Sequence, residues 1–339
     1  MANVTYLIGA GASAGKRGRD LPNGISKDNR IIEGLPCVNE ISVCLSNLIY
    51  DIKNHSVASQ YIPLKKGLLE RLEKLYKMSE RHATIDTYAK KLKLKKDNLE
   101  FQQTEMMLAY FFMVEQLIHK PDSRYDTFFA NILDTQLNIP ENINIISWNY
   151  DSQFEIAYQE YEADKPLPVT FKGTENLIDT PKIFKVNGTA AFENLSNIAL
   201  LRGKMPLLEN GATDMQLSSD GVMFLLDLYK TVSQPTKKLN TRLSFAFDDT
   251  TDDTMFNKID KVMFDTNVLV IIGYTFPFFN REIDRRILSK LKPYAKIYIQ
   301  DLNPQYVKQN LQAVLTDAQR NMHIIELERT DQFYLPPEL

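Results

Sequence analysis

The sequence of this 339-residue protein has few cysteines, little net charge and no long apolar run, and each of these absences excludes a class of protein. The two cysteines, Cys37 and Cys44, match neither a CxxC pair nor half of a four-thiolate zinc site, so we expect neither structural zinc nor a disulfide framework. The 40 Lys and Arg residues nearly balance the 43 Asp and Glu residues. With a formal net charge of -3, the protein has no overall positive charge that would attract nucleic acid or an anionic membrane. No apolar run reaches the length of a membrane span. We therefore expect a cytoplasmic protein that binds neither a membrane nor nucleic acid directly.

Short runs dense in Val, Ile and aromatic residues alternate with stretches of helical periodicity. This alternation is typical of a parallel sheet covered by helices. We predict an α/β fold with a Rossmann-like, mostly parallel sheet and helices on both of its faces. The predicted strands are Val4–Ile8, Ile143–Trp148, Ile183–Val186, Val268–Ile272, Lys296–Ile299 and Met322–Leu327.

The region 36–137 contains no convincing strand, and its apolar residues have helical spacing, as at Leu68, Leu72 and Leu75. We predict that this region is a helical insertion module after the first strand. The flanking regions, 1–35 and 138–339, are then expected to form one Rossmann-type domain. Within it, Asn280 and Asn303 each precede a helical run and are predicted to be helix N-caps.

The first predicted strand leads directly into a turn of small residues: Gly9, Ala10, Gly11, Ala12 and Ser13. Such a turn lets backbone N–H groups approach a pyrophosphate, and it is equally typical of a tight strand-to-helix connection. A dinucleotide-binding dehydrogenase would have a second strand ending in an acidic residue about 20 residues later. Asp28 and Glu33 have that spacing but lie in a polar segment without strand character, so hydride transfer is not favoured.

Polar residues also follow later predicted strands. Asn149 can donate and accept hydrogen bonds with a ribose or a water, while Asp151 can act as a base, stabilise a developing cation or cap the following helix. Asn187 and Gly188 form a similar polar end, which is also common in simple turns. Arg19, with its basic neighbours after the first turn, fits a pyrophosphate contact, a mobile lid or an exposed loop.

The order of these segments resembles that of the sirtuin-like family. The segments are Gly9–Ser13, Trp148–Asp151, Val186–Thr189, Ile272–Phe276 and Ile299–Asn303. The chain looks closest to the bacterial members of antiphage defence, which lack the zinc module of protein deacylases and destroy NAD. The resemblance therefore implies an NAD-binding domain without a metal, and it implies a homo-oligomer, a partner protein of the defence system, or both.

The resemblance also implies roles for individual positions. The catalytic residues would be Asn149, Asp151 and Asn187. The residues that bind NAD or a related nucleotide would be Gly9, Ala10, Gly11, Ala12, Ser13, Arg19, Ser147, Gly188, Thr189, Gly273, Tyr274, Thr275 and Asp301.

Position 187 departs from the family pattern, which has a histidine there. Asparagine can hold a ribose hydroxyl but cannot accept a proton near neutral pH. Protein deacylation is disfavoured, because it would also use the histidine that is missing at position 187. We expect an NAD hydrolase that yields nicotinamide and ADP-ribose as a defence effector. The alternative is a catalytically weak or inactive nucleotide-binding subunit of a defence complex.

Overall fold

The computed structural model describes residues 1–15, 34–119, 121–161, 168–171, 181–193, 195, 216–233, 240–245, 247–248 and 254–339. Arg19 and the acidic positions Asp28 and Glu33 lie outside these residues. The chain forms two compact units. Unit 1 consists of Met1–Ser13, Pro121–Thr189 and Ser244–Leu339, and unit 2 consists of Ala14–Lys120 and Ala190–Leu243.

Unit 1 contains a seven-stranded sheet in which every pairing is parallel. Its strands are β1 (Val4–Ile8), β2 (Ile143–Ser147), β3 (Val169–Phe171), β4 (Ile183–Lys185), β7 (Val268–Ile272), β8 (Lys296–Gln300) and β9 (Ile324–Leu327). They lie in the order β3-β4-β2-β1-β7-β8-β9. Leaving out the edge strand β3, this is the Rossmann order 3-2-1-4-5-6.

The centre of the sheet is β1, which is buried along its whole length. Val4 pairs with Ile143 on one side and with Val268 on the other. Because side chains alternate along a strand, Tyr6 packs into one hydrophobic core and Leu7 into the other. Both faces of the strand are therefore covered, as its continuous apolar sequence predicts.

Helices of unit 1 cover both faces of the sheet. The core that contains Leu7 also includes residues of α8 (Thr254–Asp265), α9 (Arg281–Ser289) and α10 (Pro304–Gln312). The core that contains Tyr6 includes residues of α5 (Ser123–Ile132) and α6 (Gln153–Gln159), together with Phe333 near the C-terminus. This arrangement confirms the predicted Rossmann-like α/β fold.

Unit 2 contains a helix whose C-terminal half is almost entirely buried. Its helices are α1 (Ile41–Asn54), α2 (Ile62–Arg81), α3 (Ile85–Leu94), α4 (Asn98–Ile118) and α7 (Ser219–Ser233). From Met107 to Leu117 every residue of α4 is buried, and the hydroxyl of Tyr110 donates to the carbonyl oxygen of Leu225, 2.9 Å away. Elsewhere, β5 (Gly188–Phe192) and β6 (Thr241–Leu243) form a two-stranded sheet.

The compact units differ from the predicted boundaries of 36–137 in two respects. Helix α5 lies inside that range but packs on the sheet of unit 1, through residues such as Phe128 and Phe129. Conversely, unit 2 takes in 190–243 from beyond the range. As far as the structure describes the chain, none of its helices has the length and apolar character needed to cross a membrane.

Candidate functional site

The candidate site residues of unit 1 follow β1, β2, β4, β7 and β8, all at the carboxyl edge of the parallel sheet. After β1 the chain continues to β2 on one side, while β7 adjoins β1 on the other. This reversal of strand order is a topological switch point, where open α/β sheets bind ligands. The turn that begins at Gly9 and the turn at Gly273 flank this point.

The turn after β1 uses most of its amide groups inside the protein. Gly9 N donates to Ile272 O and Gly11 N donates to Gly273 O, each over 3.0 Å. Ala12 N and Ser13 N donate back to Gly9 O and Ala10 O, which closes a 3₁₀ turn over Ala10–Ala12. Four of the five amides therefore already have acceptors, so this turn provides fewer donors for a phosphate than its sequence suggested.

Three glycines allow the loops after β1 and β7 to touch. A Cβ added to Gly9 would lie 2.5 Å from Gly273 O, and one added to Gly11 would lie 2.8 Å from Gly273 Cα. At Gly273 a Cβ would lie 2.5 Å from Ala12 N, and the φ of +59° is itself unfavourable for other residues. The close approach of the two backbones explains why glycine is needed at these positions.

Asn149 is held by the turn after β1. Its Nδ2 donates to Ser13 Oγ over 3.2 Å, and Ser13 Oγ shares a 2.7 Å hydrogen bond with Tyr125 Oη. All three side chains are buried. Asn149 N also donates to Ser147 Oγ over 3.2 Å, so the predicted position Ser147 fixes the backbone of Asn149. The structure thus brings Ser13, from the turn after β1, into contact with Asn149 in the segment that follows β2.

Asp151 is buried at the start of α6, where one carboxylate oxygen accepts from Gln153 N over 3.1 Å. The N-cap position of α6 is occupied by Ser152, so Asp151 does not hold the capping position that the sequence left open beside a catalytic role; its bond closes a turn just before the helix. The carbonyl oxygen of Asp151 accepts from Lys185 Nζ. Lys185 is itself buried and lies 3.3 Å from Glu155 Oε1. A buried cation therefore fixes the backbone at Asp151.

Asn187 packs against the same segment of chain. Its Nδ2 donates to Trp148 O over 3.0 Å, whereas its Oδ1 is buried and has no hydrogen-bond partner among the described residues. Gly188 has a φ of 66°, which explains a glycine after Asn187. Thr189 Oγ1 donates to Tyr150 O over 3.3 Å. A buried oxygen without a hydrogen bond destabilises the fold. The Oδ1 of Asn187 is therefore a candidate acceptor for a ligand or a water.

The loop after β7 places Tyr274 differently from the cofactor contact implied by the resemblance. The side chain is buried, its ring stacks on Trp148, and its hydroxyl donates to Asp284 Oδ1 over 2.9 Å. A ligand would therefore meet the backbone of this loop, or the exposed residue Thr275. Asn280 occupies the predicted N-cap position of α9, but its side chain makes no capping bond there; its Nδ2 donates to Tyr274 Oη over 3.0 Å.

Asp301 follows β8, which is separated from β1 by β7. Its Oδ1 accepts from Asn303 N over 2.9 Å. Asn303 in turn caps α10 by accepting from Tyr306 N over 3.2 Å, which confirms the predicted cap. Asp301 is therefore engaged in the turn before α10 and is not part of the group around Asn149.

Arg124 is a residue that the sequence did not single out. Its Nη2 donates to Ala12 O over 3.0 Å and to Gly11 O over 3.3 Å. The guanidinium also forms a bidentate ion pair with Asp122. The side chain is largely buried, and its Nη1 donates to Thr330 O over 3.2 Å. Arg124 thus fixes the carbonyl groups of the turn after β1. No sequence pattern linked it to that turn.

Metal ligands are not grouped in the part of the chain that the structure describes: no three His, Cys, Asp or Glu side chains there are arranged to hold an ion. No protein-family model matches the chain, and no curated protein matches it.

Proposed function

We propose that unit 1 binds NAD and hydrolyses the bond between nicotinamide and ribose. In this proposal Asn149 holds a ribose hydroxyl and the attacking water, Asp151 supports the positive charge that develops on the ribose, and Asn187 accepts a hydrogen bond from a second hydroxyl. The loops after β1 and β7 line the phosphates. The antiphage-defence role, a homo-oligomer or partner protein and a cytoplasmic location belong to the same proposal and rest on the sequence.

The observation that supports this proposal best is the placement of Asn149. Its carboxamide is buried beside the switch point of the sheet and is held by Ser13, which is held in turn by Tyr125. A polar group fixed in this way needs no rearrangement when charge develops on a substrate, which is the main source of electrostatic catalysis. The unpaired Asn187 Oδ1 provides a second polar group that a ribose hydroxyl would satisfy.

The proposed chemistry does not require an acid. The C1′–N bond breaks and its electron pair stays with nicotinamide, which leaves as a neutral pyridine. The ribose becomes oxocarbenium-like, and a water oxygen bonds to C1′ while one water proton passes to Asp151 or to solvent. The products are nicotinamide, ADP-ribose and a proton.

A second function is favoured by one observation at position 187. Asparagine there cannot accept a proton, and its Nδ2 is already bonded to Trp148 O. General-base catalysis from this position is therefore absent. A protein that binds NAD and does not turn it over, as a subunit of a larger complex, would need only the binding groups.

One experiment separates the two functions. The purified full chain is incubated with NAD, binding is measured by calorimetry, and nicotinamide and ADP-ribose are quantified by chromatography. A hydrolase is expected to release both products, and Asn149→Ala should lower kcat by about 10²–10³-fold. The exposed Asn131→Ala is the matched control and should leave kcat unchanged.

The outcomes exclude one another. Binding without products in the wild type supports the subunit, whereas neither binding nor products contradicts both functions. If products form, Asn187→His should increase kcat by about 10²-fold, because a general base contributes roughly that factor.

A further inference from the structure

The indole of Trp148 lies flat against the ring of Tyr274. The ring centroids are 5.4 Å apart, and the ring planes differ by 7°. Trp148 follows β2 and Tyr274 follows β7, so the stack joins two loops at the carboxyl edge of the unit 1 sheet. Aromatic pairs in such contact contribute beyond their buried area.

Hydrogen bonding does not fix the indole. Trp148 Nε1 is buried, and within the described part of the chain it has no hydrogen-bond partner. The backbone of Trp148 is fixed by its amide, which donates to Ile8 O over 2.9 Å. The side chain is therefore oriented by packing, and Tyr274 provides the parallel face of that packing.

Tyr274 is anchored at its other end. Its hydroxyl donates to both oxygens of Asp284, over 2.9 and 3.0 Å, and accepts from Asn280 Nδ2 over 3.0 Å. Burial raises the pKa of Tyr274 well above its usual range, so the hydroxyl stays protonated and remains a donor. Phe276 packs edge-on against Tyr274 with centroids 4.8 Å apart. The ring is therefore held in one orientation from the side of α9.

Trp148 is connected to two of the proposed catalytic residues. Its carbonyl oxygen accepts from Asn187 Nδ2 over 3.0 Å, and Asn149 is the next residue in the chain. A shift of the Trp148 backbone would therefore move both carboxamides, including the bond from Asn149 to Ser13.

We infer that Tyr274 is a positioning residue: its ring, anchored by Asp284 and Asn280, fixes Trp148 and through it the carboxamides of Asn149 and Asn187. The effect on turnover rests on the proposed hydrolase function. The effect on the positions of Trp148 and Asn149 does not depend on that function. Tyr274 therefore supports Trp148 and does not itself contact the nucleotide in this proposal.

Trp148 is the single tryptophan of the chain, so its fluorescence reports this position directly. The variants are Tyr274→Leu, which removes the stack, and Tyr274→Phe, which keeps the ring and loses the hydroxyl. Tyr294→Leu is the control, because Tyr294 is exposed and lies elsewhere in unit 1. Thermal unfolding of each variant checks that it is folded.

With Tyr274→Leu, we expect the emission of Trp148 to shift to longer wavelength and acrylamide to quench it faster. We also expect kcat to fall by about 10²-fold with little change in KM, since a misplacement of about 1 Å has that effect. Tyr274→Phe keeps the ring but loses its anchor to Asp284 and Asn280, so its fluorescence and kcat should lie between those of the wild type and of Tyr274→Leu. Tyr294→Leu should change neither.

Unchanged Trp148 fluorescence and unchanged kcat in a folded Tyr274→Leu variant would overturn the inference. If the wild type does not hydrolyse NAD, the proposed function fails, and a crystal structure of Tyr274→Leu then decides the inference. An intact hydrogen bond from Asn149 to Ser13, with the indole in its original place, counts against it. A displaced Asn149 carboxamide supports it.

Discussion

The amide of Gly11 donates to the carbonyl oxygen of Gly273 over 3.0 Å, and this bond joins the two loops that flank the switch point of the sheet. Neither glycine leaves room for a side chain. The glycine-rich turn is therefore required for contact between two loops, whether or not a phosphate also binds there.

Gly273→Ala should strongly destabilise unit 1. The new Cβ would lie 2.5 Å from both Ala12 N and Gly11 C, at a φ of +59°. We expect a loss of about 2–4 kcal/mol in the free energy of unfolding, measured by calorimetry. Gly67→Ala is the control: it lies in α2 with its nearest neighbour atom 3.8 Å away, and it should stabilise by about 0.5–1 kcal/mol. Equal unfolding temperatures for the two variants would contradict this explanation.

Asp284→Asn should flatten the dependence of stability on pH. Burial raises the pKa of Asp284 well above its usual range, despite the opposing hydrogen bond from Tyr274. The native state therefore holds this proton to higher pH than the unfolded state. Its contribution is fully present below the unfolded pKa of about 4 and is lost as pH rises toward the native pKa. The variant should melt higher than the wild type at about pH 8, with a smaller gap at about pH 5.

Lys185→Met should be more harmful than the double variant Lys185→Met/Glu155→Gln. The Lys185 side chain is 3% exposed, and its Nζ lies 3.3 Å from Glu155 Oε1. Removing only the cation leaves a largely buried carboxylate without its partner, which costs about 3–5 kcal/mol. Urea unfolding of the single and double variants measures the difference. A double variant no more stable than the single one would show that the ion pair is not the cause.

Arg124→Lys should destabilise the turn after β1. Lysine keeps the charge, but its single nitrogen cannot replace Nε, Nη1 and Nη2, which together contact both carboxylate oxygens of Asp122, Thr330 O, Gly11 O and Ala12 O. We expect a loss of about 1.5–3 kcal/mol, the usual contribution of hydrogen bonds to a charged group. Arg320→Lys is the control, because that arginine pairs with Asp317 on an exposed surface, and it should change stability by less than about 0.5 kcal/mol. Similar losses in the two variants would refute a special role for Arg124.

The central strands of the sheet could be predicted because they are buried on both faces. Continuous apolar runs such as Val268–Ile272 have no other place in an α/β protein. Strand β3 was missed because three residues, Val169–Phe171, are too few to produce a pattern. The pairing of residues 190–243 with the helical unit was also missed, since it depends on contacts across the chain and not on local sequence.

For the candidate site, the sequence identified residues at strand ends but not their contacts. Asn149, Ser13 and Ser147 were all predicted, yet only the structure shows that they share hydrogen bonds. Asn280 and Asn303 both occupy N-cap positions, but only Asn303 makes a capping bond, whereas Asn280 bonds to Tyr274. A side chain that bonds to a residue elsewhere in the fold need not make the capping bond that its local sequence predicts. Local sequence patterns do not reveal that distant partner.

The position of β1 also determines when unit 1 can finish folding during synthesis. This strand is made before the other strands of the sheet, and Val4 pairs with Ile143 and Val268, which are made much later. Pairings between such distant segments form slowly, and an unpaired apolar strand is prone to aggregation in the meantime. Strand β1 therefore cannot complete its native pairings until β2 and then β7 have been made, and a chain that stops before β7 lacks the native partner of one edge of β1.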